Sequence, residues 1–263
     1  MRKFLILVSV LSTILTSCGD PKTRQPLVDA SLNDMLYVSG GTYNMGSDKV
    51  GQFVHPVTLK SFYIGKDNVD YRKYDWYTEA TGKKYIDPVA KKYHDYTRKP
   101  NHPVDYINWY QANDYCQYLA KISGLHYDLP TQEQWEYVAR NNGKPNWDFP
   151  TNNGKQEIGV NFPSYKQLTE HSDGDAFPLP VGSIPCTPQG ICGLTGAVNE
   201  WMKDAKGNLR VLRGGGANGS PEFANAYGHD AVNPNDTNGG FRCVINSEKP
   251  MSELRAIAQE HLK

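Results

Sequence analysis

Beyond residue 143 the chain is mostly irregular, rich in Gly, Pro, Asn and Asp, with short strand-like runs such as Leu209–Arg213 and Phe241–Ile245. A stretch of that length inside a compact domain marks functional loops or loops held together by ions. The regular structure is concentrated before it. Asn108 predicts a helix start, with Trp109, Ala112, Cys116, Leu119 and Ala120 at helical spacing and Gly124 just past the end. Thr131 and Gln134 form a capping box for a second helix, whose inner face is Trp135, Val138 and Ala139 and which Asn141-Asn142-Gly143 stops. Earlier still, Met35–Val38 and Thr42–Gly46 read as two short strands around a tight turn at Gly40-Gly41, and Val57–Leu59 with Phe62–Gly65 as a second such pair. No internal repeat and no linker follows Met35, so one domain is the economical reading.

The first residues bear on location. Arg2 and Lys3 precede an apolar run, Phe4 to Leu15, that is too short to cross a bilayer, which needs about 20 residues. The pattern is a secretory signal over residues 1–17. Its end, Leu15-Thr16-Ser17-Cys18, resembles a bacterial lipobox, in which the cysteine is diacylated and becomes the new N-terminus; the plainer alternative is an ordinary signal peptide with a free cysteine nearby. Acyl chains contribute about 0.8 kcal/mol per buried CH₂, enough for two or three chains to anchor a protein stably. The expected location is the bacterial cell envelope, lipid-anchored, with the outer membrane as the expected membrane. Residues 18–34 hold two prolines and no periodicity, and read as a flexible tether.

Charge adds an exclusion. The chain has 28 basic and 28 acidic side chains. Removing Arg2 and Lys3 with the signal leaves 26 basic against 28 acidic, a net −2. A neutral to slightly acidic chain is not an electrostatic nucleic-acid binder. Residues 71–99 do mix tyrosines and Trp76 with lysines and Arg98, which could form a face for glycan, peptide or single-stranded nucleic acid, the last disfavoured by an envelope location; the plainer reading is an insertion whose aromatics pack locally. Met251, Leu254, Ile257, Ala258 and Leu262 lie on one helical stripe within residues 248–263, which either packs on the domain or docks a partner.

Eight motifs follow one another in order: Gly41-Thr-Tyr-Asn-Met-Gly46, Phe62-Tyr-Ile-Gly-Lys66, Pro103-Val104 with Asn108-Trp109-Tyr110, Leu129-Pro-Thr131 with Trp135-Glu-Tyr137, Pro180-Val-Gly-Ser183, Gly196 with Glu200-Trp201, Arg210-Val-Leu-Arg-Gly-Gly215 and Gly239-Gly-Phe-Arg242. Any one would be weak; in sequence they resemble the formylglycine-generating enzyme (sulfatase-modifying factor) family over about residues 35–246. The resemblance implies an α+β, C-type-lectin-like domain over residues 35–247, with few helices, short strands and much irregular structure. It also implies a disulfide between Cys116 and Cys243, which suits a chain outside the reducing cytosol.

The family's oxidases hold copper(I) with two cysteines, a soft-ligand site. Here those positions are Gly219 and Ala224, and the motif serine is Gly216. None supplies a thiolate, so no copper is expected and formylglycine synthesis is not expected. What remains is a degenerate groove of Gly216, Asn218, Gly219, Ala224, His229 and Asp230. Cys186 and Cys192, six apart in a Pro/Gly loop, are either a relocated metal or redox pair or a local disulfide, and the compartment favours the disulfide. The resemblance also implies calcium, with Asn161 and Asp173 as side-chain ligands and Phe162 and Asp175 as carbonyl donors. At the second calcium position of the family Ala197 replaces the usual Asn, although Glu200 is kept.

The expected function is a non-catalytic binding or scaffold module, anchored to the membrane through its lipid and engaging an envelope protein partner or a glycan or peptide ligand. The alternatives are an enzyme of the same fold with altered chemistry around His229, Asp230 and Asn218, and a calcium-dependent glycan or peptide receptor.

Overall fold

The computed structural model describes residues 21–83, 98–170, 176–217, 224–237 and 239–263. Among these residues three antiparallel sheets organise the fold. β1 (Met35–Val38), β4 (Phe62–Gly65), β9 (Val244–Ile245) and β5 (Tyr127–Asp128) form one, in the order β1-β4-β9-β5. β2 (Gly41–Met45) pairs with β3 (His55–Leu59), and β6 (Glu200–Lys206), β7 (Leu209–Arg213) and β8 (His229–Val232) form the third. Among the described residues six α-helices surround them: α1 Pro21–Asn33, α2 Tyr71–Thr81, α3 Trp109–Ser123, α4 Gln132–Ala139, α5 Tyr165–Thr169 and α6 Met251–His261.

The strands act as partitions between two cores. Successive side chains of a strand point to opposite faces. Tyr63 and Ile245 enter a core with Leu119, Trp201 and Phe241, while their neighbours Phe62, Ile64 and Val244 enter a second with Trp135, Val138 and Met202. Trp201 and Met202, and Leu212 and Val211, divide the same way. A strand with both faces buried carries a continuous apolar run, as Phe62-Tyr63-Ile64 does.

The two helices expected from capping signals form as read. Asn108 Oδ1 accepts from the Gln111 amide at 2.9 Å, and Gln111 Oε1 accepts from the Asn108 amide at 2.8 Å. Thr131 and Gln134 repeat the arrangement at 3.2 and 3.1 Å. Gly124 and the Asn141-Asn142-Gly143 run all take positive φ, which ends each helix.

The two expected hairpins are not present. β1 pairs with β4 and β2 with β3, so the chain changes sheets at Gly40 instead of turning back on itself. A Cβ on Gly40 would lie 2.3 Å from the Leu59 carbonyl oxygen, so the two segments cross too closely there for any side chain. Turn residues between two apolar runs signal a reversal of direction; they do not say which strand is the partner. The Phe241–Ile245 strand is likewise shorter than read, limited to Val244–Ile245, although the Val69 amide still donates to the Phe241 carbonyl at 2.9 Å.

The expected tether at residues 18–34 is also corrected: Pro21–Asn33 is helix α1, a part of the folded body. Pro26 removes one helical hydrogen bond, which disfavours a helix by about 3 kcal/mol. Leu27, Val28 and Leu32 offset it, being no more than 2% exposed against α2 and α3. Each such burial stabilises by about 1.5–3 kcal/mol. At the other end α6 packs on α3 through Leu254 and Ala258, which settles the terminal stripe as a core element. The described part of the aromatic-basic run also turns inward: Tyr71, Tyr74 and Tyr77 are buried in the same core. Residues 84–97 lie outside the described residues.

Both cysteine pairs are disulfides, Cys116–Cys243 and Cys186–Cys192. Cys18 lies outside the described residues.

Candidate functional site

β7 and β8 present the candidate site at one end of their pairing, where Arg213 stands opposite His229 and Leu212 opposite Asp230. Beyond Arg213 the chain runs into Gly214-Gly215, which carry no side chains, and Val50 and Gln52 close the opposite wall from the β2–β3 connection. The result is an open cavity of about 550 Å³. Its walls are mixed: Val50, Leu212 and Tyr227 are apolar or aromatic, and Gln52, Asn199, His229 and Asp230 are polar.

The floor rests on a buried charge cluster. Glu136, on α4, is fully buried; its Oε1 accepts from the Gly46 amide at 2.8 Å and from Arg140 Nε at 2.9 Å. Its Oε2 lies 3.2 Å from Arg213 Nη1. Burial pushes the Arg213 guanidinium below its usual range, and Glu136 pulls it back. Arg213 also donates to the Ala226 carbonyl and to Gln132 Oε1, and lies over the Trp135 ring. These contacts fix the strand end that opens into the cavity. In the sequence Arg213 and Glu136 stand only as motif letters; the usable signal is a carboxylate set among the apolar positions of a capped helix.

His229 lies on the cavity wall, at the exposed end of β8. Gln52 Nε2 donates to the Tyr227 carbonyl at 3.0 Å and reaches to 3.5 Å from His229 Nδ1. Burial first, and the Arg213 charge second, hold the imidazole below its ordinary pKa of 6.5. A histidine so depressed binds fewer protons folded than unfolded. It therefore leaves stability unaffected well above pH 6.5 and subtracts from it as pH falls through 6.5 toward the folded pKa. An NMR titration is expected to place the His229 midpoint below 6.5, and an Arg213→Met variant that remains folded is expected to raise it.

The expected groove residues separate in space. His229 and Asp230 line the cavity. The Gly216 amide donates to Asn199 Oδ1 at 2.9 Å, which anchors the loop at the cavity edge. Ala224 lies beneath the wall: it is 1% exposed, its carbonyl accepts from Thr195 Oγ1 at 2.9 Å, and a Cβ on Gly215 would meet its methyl at 2.7 Å. Asn218 and Gly219 lie outside the described residues. The copper position that is described therefore holds a buried methyl group, which is no fit for a metal.

The expected calcium residues are part described. Asn161 is fully buried; its Oδ1 accepts from the Glu157 amide at 2.8 Å, and its Nδ2 faces oxygens of Asn152, Asn153, Lys155 and Glu157 at 3.1–3.2 Å. The Phe162 carbonyl accepts from the Gly159 amide at 2.7 Å. Such oxygens suit calcium in kind, yet in this arrangement Asn161 turns its oxygen to the backbone and holds its own loop. Asp173 and Asp175 lie outside the described residues. Glu200 is fully engaged elsewhere: both its oxygens pair with the Arg242 guanidinium at 2.8 Å, and Oε2 also accepts from Trp135 Nε1 at 3.1 Å.

Residues 21–247 match the family described as Sulfatase-modifying factor enzyme 1-like domain. A formylglycine-generating enzyme of Streptomyces coelicolor is 26% identical over 200 residues, covering 66% of this chain and 62% of that protein, so the chain spans less than two thirds of its length. An inactive C-alpha-formylglycine-generating enzyme 2 of Mus musculus is 26% identical over 313 aligned residues, covering 95% and 96%. The solved structure of PvdO from Pseudomonas aeruginosa superposes with a TM-score of 0.66 at 24% identity over 80% of this chain and 93% of that one, a likeness of fold. With this match over most of its length, and with the mixed α+β fold described above, the chain belongs to the sulfatase-modifying factor enzyme 1-like family.

Proposed function

We propose that this is a lipid-anchored envelope protein whose domain binds a protein or peptide partner in the groove beside β7 and β8 and does not oxidise it. The observation that carries the reading is Ala224, a methyl packed under Gly215 where the family's oxidases place a copper-binding cysteine. Copper(I) held by thiolates cannot be held by a methyl group and, at the second position, a glycine. The groove itself keeps a useful shape: a concavity of about 550 Å³ with mixed apolar and polar walls is suited to holding a side chain or a short peptide. That a mouse relative bears the name of an inactive formylglycine-generating enzyme supports the reading without deciding it.

Purified protein incubated with copper, oxygen and a Cys-x-Pro-x-Arg peptide is expected to leave the peptide's mass unchanged; conversion of its cysteine to formylglycine would sink the reading. Crosslinking and affinity purification from the native envelope are expected to recover a partner, and a combined His229→Ala and Asp230→Lys change is expected to lose it.

A second reading, altered chemistry in the same groove, draws on His229, held below its ordinary pKa by burial, and on Asp230, both of which line the cavity. Under it, His229→Ala and Asn218→Ala would abolish an envelope phenotype while the partner was still recovered. The calcium-dependent glycan or peptide receptor stays a variant of the binding reading, and requires ligand capture that a chelator abolishes.

A further inference from the structure

We infer that the folded domain abuts the membrane surface directly, with the start of α1 and the end of α2 against lipid headgroups. The inference rests on the anchored reading above and deepens it. Only Gly19 and Asp20 separate the lipobox cysteine, Cys18, from the first residue of α1, Pro21. Three Cα-to-Cα steps reach at most about 10–11 Å. The headgroup layer on one side of a bilayer is itself about 5–8 Å thick. A diacylated cysteine sits at the inner edge of that layer, so Pro21 can rise only a few ångströms above it. Had residues 19–34 been a coil, their root-mean-square span would be roughly 20–24 Å, and the domain would stand free of the surface.

The helix that shortens this leash is fastened along its length. Leu27, Val28 and Leu32 are buried in the core that holds Tyr74, Tyr77 and Tyr115. Lys73 pairs with Asp34, joining the residue after α1 to the first turn of α2, and Arg255 on α6 donates to Asn33 Oδ1 at 2.8 Å. The two helices pack side by side from that ion pair, so α2 returns toward the end where α1 begins. There α2 ends at Thr81, capped by Gly82, and Lys83 just beyond it pairs with Asp114 on α3, while Lys22 lies at the surface in the first turn of α1.

Trypsin distinguishes the arrangements, because it cleaves after Lys22 and Arg24 only if α1 opens. The acylated full chain, reconstituted in phosphatidylethanolamine and phosphatidylglycerol vesicles, is expected to yield no lipopeptide ending at Lys22 or Arg24. A Leu27→Asp and Val28→Asp double variant is expected to yield those lipopeptides on the order of 100-fold faster. Wild-type cleavage as fast as that variant's would overturn the inference. A second measurement does not depend on variant folding. Inserting twelve Gly/Ser residues between Asp20 and Pro21 is expected to cut tryptophan-to-dansyl energy transfer from the protein to labelled headgroups at least roughly twofold, and unchanged transfer would overturn the inference. Mass spectrometry of Cys18 separates the two failures: an unacylated Cys18 sinks the anchored reading, whereas an acylated Cys18 on a cleavable leash sinks only the abutting domain.

Discussion

Replacing Arg242 with Met is expected to destabilise the fold by about 3–5 kcal/mol, the range for removing one partner of a buried ion pair. The side chain has no exposed surface, and its three nitrogens make five hydrogen bonds. Two go to Glu200, at 2.8 Å each. The others go to the carbonyls of Gly65, Lys66 and Cys192 at 2.9, 3.1 and 2.8 Å. The guanidinium thus ties the end of β4, the disulfide loop and the start of β6 at one point. The Glu200 carboxylate would be left charged and buried with only Trp135 Nε1 to face it. A Glu200→Met, Arg242→Met double variant removes the orphaned charge but still leaves three carbonyls without this donor. It is expected to recover only part of the loss, since an unsatisfied buried polar group costs about 1–3 kcal/mol. Arg242→Lys is expected to help little, because one ammonium cannot span the acceptors a planar guanidinium reaches. Urea unfolding with both disulfides intact measures all three, and a loss under about 1 kcal/mol for Arg242→Met would show that the network holds no essential position.

What could be read from the residues follows from the range of the forces involved. Helix ends are local chemistry: Asn108 with Gln111 and Thr131 with Gln134 lie within one turn, and their signals predicted α3 and α4. Strand partners are not local. Gly40-Gly41 is compatible with a hairpin or a change of sheet, and only the crossing at Leu59 decides between them. Helix α1 was hidden for a related reason. Two prolines and weak periodicity describe a poor helix, and what makes it one is burial against α2 and α3, far away in sequence. The site shows the same division. Missing cysteines are legible letter by letter, so the absence of thiolates at 219 and 224 needed no structure. The Glu136–Arg213 pair beneath the groove joins residues from α4 and β7, and no spacing rule connects them.

The disulfides supply the second large effect, and their expected order is informative. Cys116–Cys243 spans a sequence separation of 127 and links α3 to the segment leading into β9, with both cysteines buried. In the chain-entropy account a closed loop of that size stabilises by about 4–5 kcal/mol, whereas the separation of 6 between Cys186 and Cys192 gives only about 2 kcal/mol. The Cys116→Ala, Cys243→Ala variant is therefore expected to unfold at clearly lower urea than Cys186→Ala, Cys192→Ala. The short loop has a second role, however. The Cys192 amide donates to the Lys66 carbonyl at 2.8 Å, and its carbonyl accepts from Arg242, so the loop positions an acceptor of the buried guanidinium. Opening the short disulfide in an Arg242→Met background should then cost less than opening it in the wild type, because the shared contact is already gone. Strict additivity of those two changes would show that the loop and the guanidinium act independently. A larger loss from the short disulfide than from the long one would show that positioning Cys192, and not loop closure, dominates its contribution.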